Sequence, residues 1–399
     1  MRNTGSVRSR ELADKLERAL HPIGDTLLSK IRLPEAAAFF RLKVHLCQCL
    51  DENDIRLAVS LEHYRVCLQM YRRFDDACEA AVEAVVHARR LYERNQEQHV
   101  EYLVDVLREY GISLREAQRL DEACNTGAET VTLSRNAYAH DPERYCEALL
   151  VSLHCYKVSL VQTKQFGDAC EATAECVTVC RHLYDRNREQ YCGFLIMSLC
   201  DHSASLRAGM QFEDACKASA EAVAFSRQVY AHDAERYCKI MSVSLRHYQL
   251  SLRRVKRLND ECDAAAERVT IYRRIYERDQ EQYCENLSYS FHEYGISLRE
   301  AKRFSDACKA GAEAVALCRH LYARDAEQYC GALSLSLQQY GISLSRATQF
   351  HDACEATAEA VTLYHHLYER DREQYGEHLS YTLHEYELQL REAKRFDDA

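Results

Sequence analysis

The chain carries one short pattern, (Arg/Gln)-(Phe/Leu)-x-(Asp/Glu)-(Ala/Glu)-Cys, seven times at a spacing that never slips. Its cysteines are Cys78, Cys124, Cys170, Cys216, Cys262, Cys308 and Cys354, each 46 residues after the last. A strict period of this size constrains the fold more than any composition does. Such a chain is built from stacked supersecondary units, each too small to bury its own apolar face and each completed by its neighbours. The 3 Pro and 12 Gly in 399 residues are too few for a β-rich array with frequent turns. The expectation is therefore an all-α solenoid, a right-handed superhelix of antiparallel helix pairs.

Two helices alternate within each period. Helix A precedes the pattern and helix B follows its Phe or Leu. In the sixth copy Tyr283, Leu287, Phe291, Tyr294, Leu298 and Ala301 lie at helical spacing on A. On B the stripe is Ala307, Gly311, Ala314, Val315, Cys318, Leu321 and Tyr322, mostly small, so another helix can approach closely. Helix A is expected over about 280–302 and helix B over about 306–323. Asn95, Asp141, Asn187, Asp233, Asp279, Asp325 and Asp371 stand where each A helix begins and suit an N-cap. Gln98, Gln190, Gln282, Gln328 and Gln374 follow three residues later, the spacing of a reciprocal capping box; Arg144 and Arg236 break it. Residues 1–30 lie outside the period, with Leu12, Leu16 and Leu20 on one helical face, and read as an N-terminal cap or a partner-binding arm. Residues 31–399 form the array: a lone B-like helix, seven A–B pairs and a lone final A helix. The sequence ends part-way through an eighth copy, Arg395-Phe396-Asp397-Asp398-Ala399, which favours a fragment of a longer protein and leaves the last A helix uncapped, a site for end-to-end self-association.

The run Tyr294-Gly295-x-x-Leu298-x-x-x-x-Arg303-Phe304-x-Asp306-Ala307 resembles the centre of a tetratricopeptide repeat (TPR). Gly111, Gly295 and Gly341 supply the glycine of that pattern, and Ala77, Ala123, Ala169, Ala215, Ala307 and Ala353 the alanine, with Glu261 the exception. The resemblance covers about residues 32–399. The unit is longer than the 34-residue standard, lacks Trp and has no Pro closing helix B, so it is most similar to the longer-repeat subclass typified by kinesin light chain. It also resembles the near-identical arrays of mushroom-forming fungi, which accompany a signalling NTPase or caspase-like domain. HEAT repeats, also about 40–47 residues, remain the alternative fold.

No catalytic or phosphate-binding motif is present, and no nucleophile–base constellation can be assembled, so an enzyme is not expected. A metal or other cofactor is not expected either. The pattern cysteines and a second set, Cys146, Cys192, Cys238, Cys284 and Cys330, recur at equal spacing, which spreads thiols along an array where zinc needs four at one point. They are expected as small apolar core fillers. The net charge of −10 and the absence of a basic block argue against nucleic acid, and no apolar run approaches a membrane span. The location expected is cytosolic or nuclear.

Function then rests on the face of helix A opposite the core. A peptide- or protein-binding scaffold is the leading reading; a sensor array cut from a larger NTPase or protease protein, and an RNA-reading array, are the alternatives. In TPR arrays the corresponding face lines a concave groove. Residues singled out on it are Arg115, Arg207, Arg253, Arg299 and Arg391 in one column. Arg246, with His154, His292 and His384, belongs to a second column, and Tyr289 and Tyr381 to a third. Branched apolar residues (Ile112, Val158, Leu250, Ile296, Ile342 and Leu388) lie three positions before the first column. The arginines, outside the core stripe, are expected to be dispensable for folding and free to hold carboxylates of a mixed apolar and acidic partner segment.

Overall fold

The computed structural model describes residues 33–49 and 54–397. The readings on residues 1–30 lie outside them. The described residues form sixteen helices and no strand. In order they are α1 (Leu33–Cys49), α2 (Asp54–Met70), α3 (Phe74–Arg94), α4 (Gln96–Glu116), α5 (Leu120–His140), α6 (Pro142–Gln162), α7 (Phe166–Arg186), α8 (Arg188–Ala208), α9 (Phe212–His232), α10 (Ala234–Arg254), α11 (Leu258–Tyr276), α12 (Gln280–Glu300), α13 (Phe304–Arg324), α14 (Ala326–Arg346), α15 (Phe350–Arg370) and α16 (Arg372–Asp397). Even-numbered helices from α2 on are A helices, and the odd-numbered ones that follow are B helices. Two structural units divide the chain at Leu183/Tyr184, within α7. Each is a stack of antiparallel A–B pairs.

Large side chains of A pack on small ones of B. In the second unit Leu287, Phe291 and Leu298 of α12 meet Ala307, Ala310 and Ala314 of α13, with Cys262 and Val269 of the preceding B helix closing the cluster. In the first unit Leu103, Val106 and Leu107 of α4 meet Ala84, Val85 and Ala88 of α3, beside Leu57 and Leu61 of α2. The closest approach is at glycine. A Cβ built on Gly311 would lie 2.8 Å from Tyr340 Cδ2, and one on Gly127 2.7 Å from Tyr156 Cδ2, so a side chain at either place would require the facing tyrosine to shift.

Both junctions are tight. From B to A, one residue serves two helices. Asn95 donates its backbone N–H to Leu91 O of α3 at 3.1 Å, while its side-chain oxygen accepts from Gln98 N of α4 at 3.1 Å. The same side-chain cap forms at Asp141, Asn187, Asp233, Asp279, Asp325 and Asp371. The reciprocal half of the expected capping box does not form, because the cap N–H is already committed to the preceding helix. Gln98 and Gln190 instead accept from the Asn side-chain amides.

From A to B, the chain turns through a Schellman motif without glycine. Lys302 N–H donates to Arg299 O at 2.9 Å and Arg303 N–H to Leu298 O at 2.8 Å, the two bonds that define the motif. The residue between adopts a left-handed backbone in all seven turns: Arg72, Gln118, Lys164, Met210, Lys256, Lys302 and Thr348, with φ of 58–61°. Helix α16 has no such turn and runs straight through Lys394. Thr348 is the most strained of the seven, because a β-branched side chain at positive φ is a steric outlier. Thr348→Gly is expected to raise stability by about 1 kcal/mol, read from urea denaturation. Lys302→Gly should give less.

The end of the second unit departs from the rest. Leu68, Leu114, Leu160, Leu206, Leu252, Leu298 and Leu344 share one register on A and are all buried, whereas Leu390 of α16 is 46% exposed. Leu383 is equally exposed although its counterparts, such as Leu337 and Phe291, are buried. Leu298→Ala is therefore expected to cost about 2–5 kcal/mol and Leu390→Ala under about 1 kcal/mol. Equal losses in denaturant melts would mean that another surface covers α16.

Candidate functional site

The arginine column is half-buried and largely engaged. Arg299 Nη1 donates to Gln339 O at 2.9 Å and to Ser343 Oγ at 3.0 Å, both on the next A helix, and its Nη2 donates to Gln339 Oε1. Arg207 does the same to His247 O at 3.2 Å and Ser251 Oγ at 3.0 Å. Arg115 reaches Cys155 O and Ser159 Oγ, and Gln69 takes the arginine's place against Ser113 Oγ at 3.1 Å. The spacing is 40 residues to the carbonyl and 44 to the hydroxyl. The hydroxyls of Ser159, Ser251 and Ser343 also donate to the carbonyl four residues back in their own helices, which leaves each oxygen free to accept from the arginine. The column is thus a ladder joining successive A helices. A second ladder of exposed ion pairs joins B helices at 40-residue spacing: Arg89–Glu129, Arg135–Glu175, Arg227–Glu267 and Arg319–Glu359. At that exposure each contributes roughly 0–1 kcal/mol.

The expectation that the column is free to hold a partner's carboxylates does not fit Arg115, Arg207 and Arg299, whose donors are engaged within the array. Burial pulls Arg207 and Arg299 below the usual guanidinium range, so their charges sit in a desolvated setting that their hydrogen bonds must offset. Arg391 differs: it is exposed and, among the described residues, pairs with Glu387 one turn away. Arg299→Met should cost about 1–3 kcal/mol and Arg391→Met under about 0.5 kcal/mol. A cycle of Arg299→Met with Ser343→Ala should show coupling of about 0.5–1.5 kcal/mol; strict additivity would dissolve the ladder.

Arg253 belongs to the same column and its Nη2 donates to Ser297 Oγ at 3.4 Å, but its shorter contacts are to carboxylates. Its Nε donates to Glu261 Oε1 at 2.8 Å, its Nη2 lies 2.7 Å from the same oxygen, and Glu300 Oε2 is 3.3 Å away. Burial lowers the Arg253 pKa, yet the hydrogen bond and charge of Glu261, with Glu300 and Glu293, outweigh it and leave a net rise. Glu261 is fully buried. It stands where every other copy has alanine.

The other singled-out residues divide between the two units. His154, with Arg115, lies in the first and is exposed. In the second, Arg246, Tyr289 and His292 meet. Arg246 Nη2 donates to Tyr289 Oη at 2.8 Å, its Cζ lies 5.3 Å from the ring centroid, and the His292 ring stacks on Tyr289 at 6.3 Å. Burial lowers the His292 pKa; Glu293 opposes this, and Arg299 and Arg268 reinforce it. Tyr381 and His384 of α16 are exposed and stand apart from that trio. Tyr289 and Tyr381 share their register with Met197 and Leu335, and all four are exposed large apolar side chains.

Arg268 was not singled out from sequence. It is 2% exposed on α11, at a register otherwise held by Ala84, Thr130, Cys176, Ala222, Ala314 and Ala360. Its Nη1 donates to Gln249 Oε1 at 3.1 Å, and its Cζ lies 5.6 Å from the Tyr289 centroid. Gln249 Nε2 donates to Ser297 Oγ at 2.9 Å, and Ser297 Oγ donates to Glu261 Oε1 at 2.7 Å. The available signal was the column: two small-residue registers of helix B, those of Glu261 and Arg268, turn charged in a single copy.

The cysteines pack. Both recurring sets are buried, apart from the half-buried Cys308 and Cys354. Burial pushes the thiols of Cys200 and Cys262 up to about 11, away from the thiolate that metal binding and nucleophilic attack require. Among the described residues no three His, Cys, Asp or Glu side chains converge as a metal site would need, and no helix is long and apolar enough to cross a membrane.

No family model matches the chain, and no curated protein matches it. Solved structures do. RapI in its apo form has a TM-score of 0.51 at 10% identity, over 96% of this chain and 99% of that one. BtubC (BKLC) from P. vanneervenii has a TM-score of 0.50 at 13% identity, over 62% and 92%. A signal-transduction ATPase with numerous domains (STAND), which carries a tetratricopeptide repeat sensor and comes from Pyrococcus horikoshii, has 0.50 at 10% identity. That match covers 89% of this chain and 54% of the ATPase. At such identities the likeness is one of fold, and the fold of this chain is that of an all-α, tetratricopeptide-like helical array.

Proposed function

We propose that the chain is a non-catalytic interaction scaffold that holds a peptide or protein segment against the A-helix face. The observation that carries this is the register of Met197, Tyr289, Leu335 and Tyr381. These are large apolar side chains, exposed on helices whose other faces are committed to the core, and each differs from its neighbours in the column. The frame repeats and this column does not, which is the division of labour expected of a binding surface on a rigid scaffold. The half-buried Leu250, Ile296 and Ile342 lie on the same helices and add apolar area. A partner carrying apolar anchors fits this face. Nucleic acid fits it poorly, given a net charge of −10.

A second reading, a sensor array of a larger signalling ATPase, draws support from the fold likeness to the STAND protein and its repeat sensor. The two readings share a binding face and differ in what the rest of a longer gene product encodes. Self-association through the exposed Leu383 and Leu390 is a separate expectation, visible as a concentration-dependent mass in sedimentation.

The test is a selection from a random displayed-peptide library on the immobilised full chain, repeated on the Tyr289→Ala, Leu335→Ala, Tyr381→Ala variant. Recovered peptides should compete with one another and bind the variant at least tenfold more weakly, with its melting temperature within about 2 °C of the parent, as expected for exposed sites. Failure to recover competing peptides, or recovery insensitive to the variant, overturns the reading.

A further inference from the structure

The fifth copy breaks the small-residue rule of the array at two places on its B helix: Glu261 replaces alanine, and Arg268 replaces alanine or another small residue. Facing them is Gln249, in a register that varies along the array and is glycine in the next two copies, at Gly295 and Gly341. The three form one hydrogen-bonded chain through Ser297. That chain leaves two of its atoms buried and without a hydrogen-bond partner, the acceptor Glu261 Oε2 and the donor Arg268 Nη2, which do not pair with each other. The partner of Arg268 Nη1 is a neutral amide. Among the described residues no carboxylate lies within ion-pair distance of Arg268, and Glu293 acts on it only through space. A buried guanidinium with an unused donor and no counter-charge is costly.

The second guanidinium at this place shares the lack of a counter-charge, though not the burial. Arg246 is exposed, bonds the neutral Tyr289 hydroxyl, and among the described residues makes no ion pair. Both Arg246 and Arg268 lie over the ring of Tyr289, which is itself 43% exposed. By contrast Arg253, a few residues away, has two carboxylates, Glu261 and Glu300. Two cations thus converge on one partly exposed aromatic side chain in the apolar column and lack one anion between them.

We propose that Arg246, Tyr289 and Arg268 form a subsite that accepts the side-chain carboxylate of an aspartate or glutamate in the bound segment. The inference rests on the scaffold reading above and fixes the chemistry of one position of the ligand. Arg246 meets the carboxylate from solvent. Rotation of the Tyr289 ring, held by one hydrogen bond and by stacking on His292, uncovers Arg268 Nη2 as the second donor. Carboxylate recognition by paired guanidinium donors is strong and directional. Burial, which pulls the Arg268 pKa down, also strengthens its attraction for an anion that replaces the lost water.

The experiment uses peptides recovered by the selection above, resynthesised with amidated C-termini. The proteins are the full chain, Arg246→Ala, Arg268→Ala, and the triple variant Gln249→Gly, Glu261→Ala, Arg268→Ala. The triple variant copies the residues of the sixth and seventh copies, so it keeps the test open if Arg268→Ala alone fails to fold. The recovered peptides should share an Asp or Glu at one fixed place relative to their apolar anchors. Changing that residue to Asn or Gln should weaken binding at least tenfold on the parent and less than twofold on the variants. The triple variant should melt at or above the parent temperature, since it removes an incompletely paired buried charge. Peptides without a fixed acid, or an acid-to-amide loss of the same size on parent and variants, overturn the subsite while leaving the scaffold reading intact. A free C-terminal carboxylate that alone restores full binding to the amide-substituted peptide assigns the anion to the chain terminus and overturns the side-chain proposal. Recovery of no competing peptide overturns the scaffold reading and the subsite with it.

Discussion

The contact on which the rest depends is the seating of A-helix leucines in the small-residue stripe of the B helices. Leu298 reaches full burial because Ala307, Ala310 and Ala314 bring the neighbouring backbone close. The same closeness explains why Gly311 and Gly127 lie against tyrosine rings of the following A helix. Large-into-small packing is sensitive to volume in both directions, since interiors are close-packed and absorb neither a cavity nor an added methyl freely. It therefore fixes the separation of the helices, and with it the reach of every polar side chain between repeats. The arginine ladder works because that separation lets a guanidinium span from one A helix to the i−4 carbonyl and serine of the next. A looser core would leave Arg207 and Arg299 as solvated surface cations.

What was legible in the sequence follows from range. Local signals could be read directly: the stripes on Leu287, Phe291 and Leu298, and the caps at Asn95 through Asp371, involve residues within one turn or one helix. The turn from A to B was misleading for a local reason. Its positive-φ residue is Arg, Gln, Lys, Met or Thr, so glycine does not mark it, and the Schellman bonds tolerate the strain in every copy. The ladder was invisible because its two halves are 44 residues apart. An arginine off the core stripe has two readings, free cation or inter-repeat donor, and only the position of the serine on the next helix decides between them. Glu261 stands out as the break in an alanine column, but Arg268, linked to it only through Gln249 and Ser297, is not marked by the B stripe of the sixth copy, where that register is Ala314.

Repetition makes such breaks informative. Every copy solves the same packing problem, and the alanine solution serves in the copies either side of the fifth. Glu261 and Arg268 are thus departures from an available apolar answer rather than a requirement of the fold. Replacing a buried ionic group by a well-packed apolar one is often neutral or stabilising. A network that spans Gln249, Glu261, Arg268 and Ser297 and still leaves Arg268 Nη2 unpaired gives up stability that its neighbours retain.

Such a sacrifice is what a binding site looks like before its ligand arrives. A site that must hold an anion keeps donors desolvated and oriented in its absence, and bears that cost until the anion supplies the missing bonds. The ladder shows the alternative outcome for the same residue type. There the guanidinium finds its acceptors inside the protein, on Gln339, Ser343, His247 and Ser251, and its contribution is rigidity. Arginine on the A helices thus does two jobs, separated by one question: whether the array itself supplies the oxygen. At Arg299 it does. At Arg253 a core glutamate does. At Arg246 and Arg268 a tyrosine hydroxyl and a neutral amide are all the array offers, and the remaining donor points to chemistry that comes from outside.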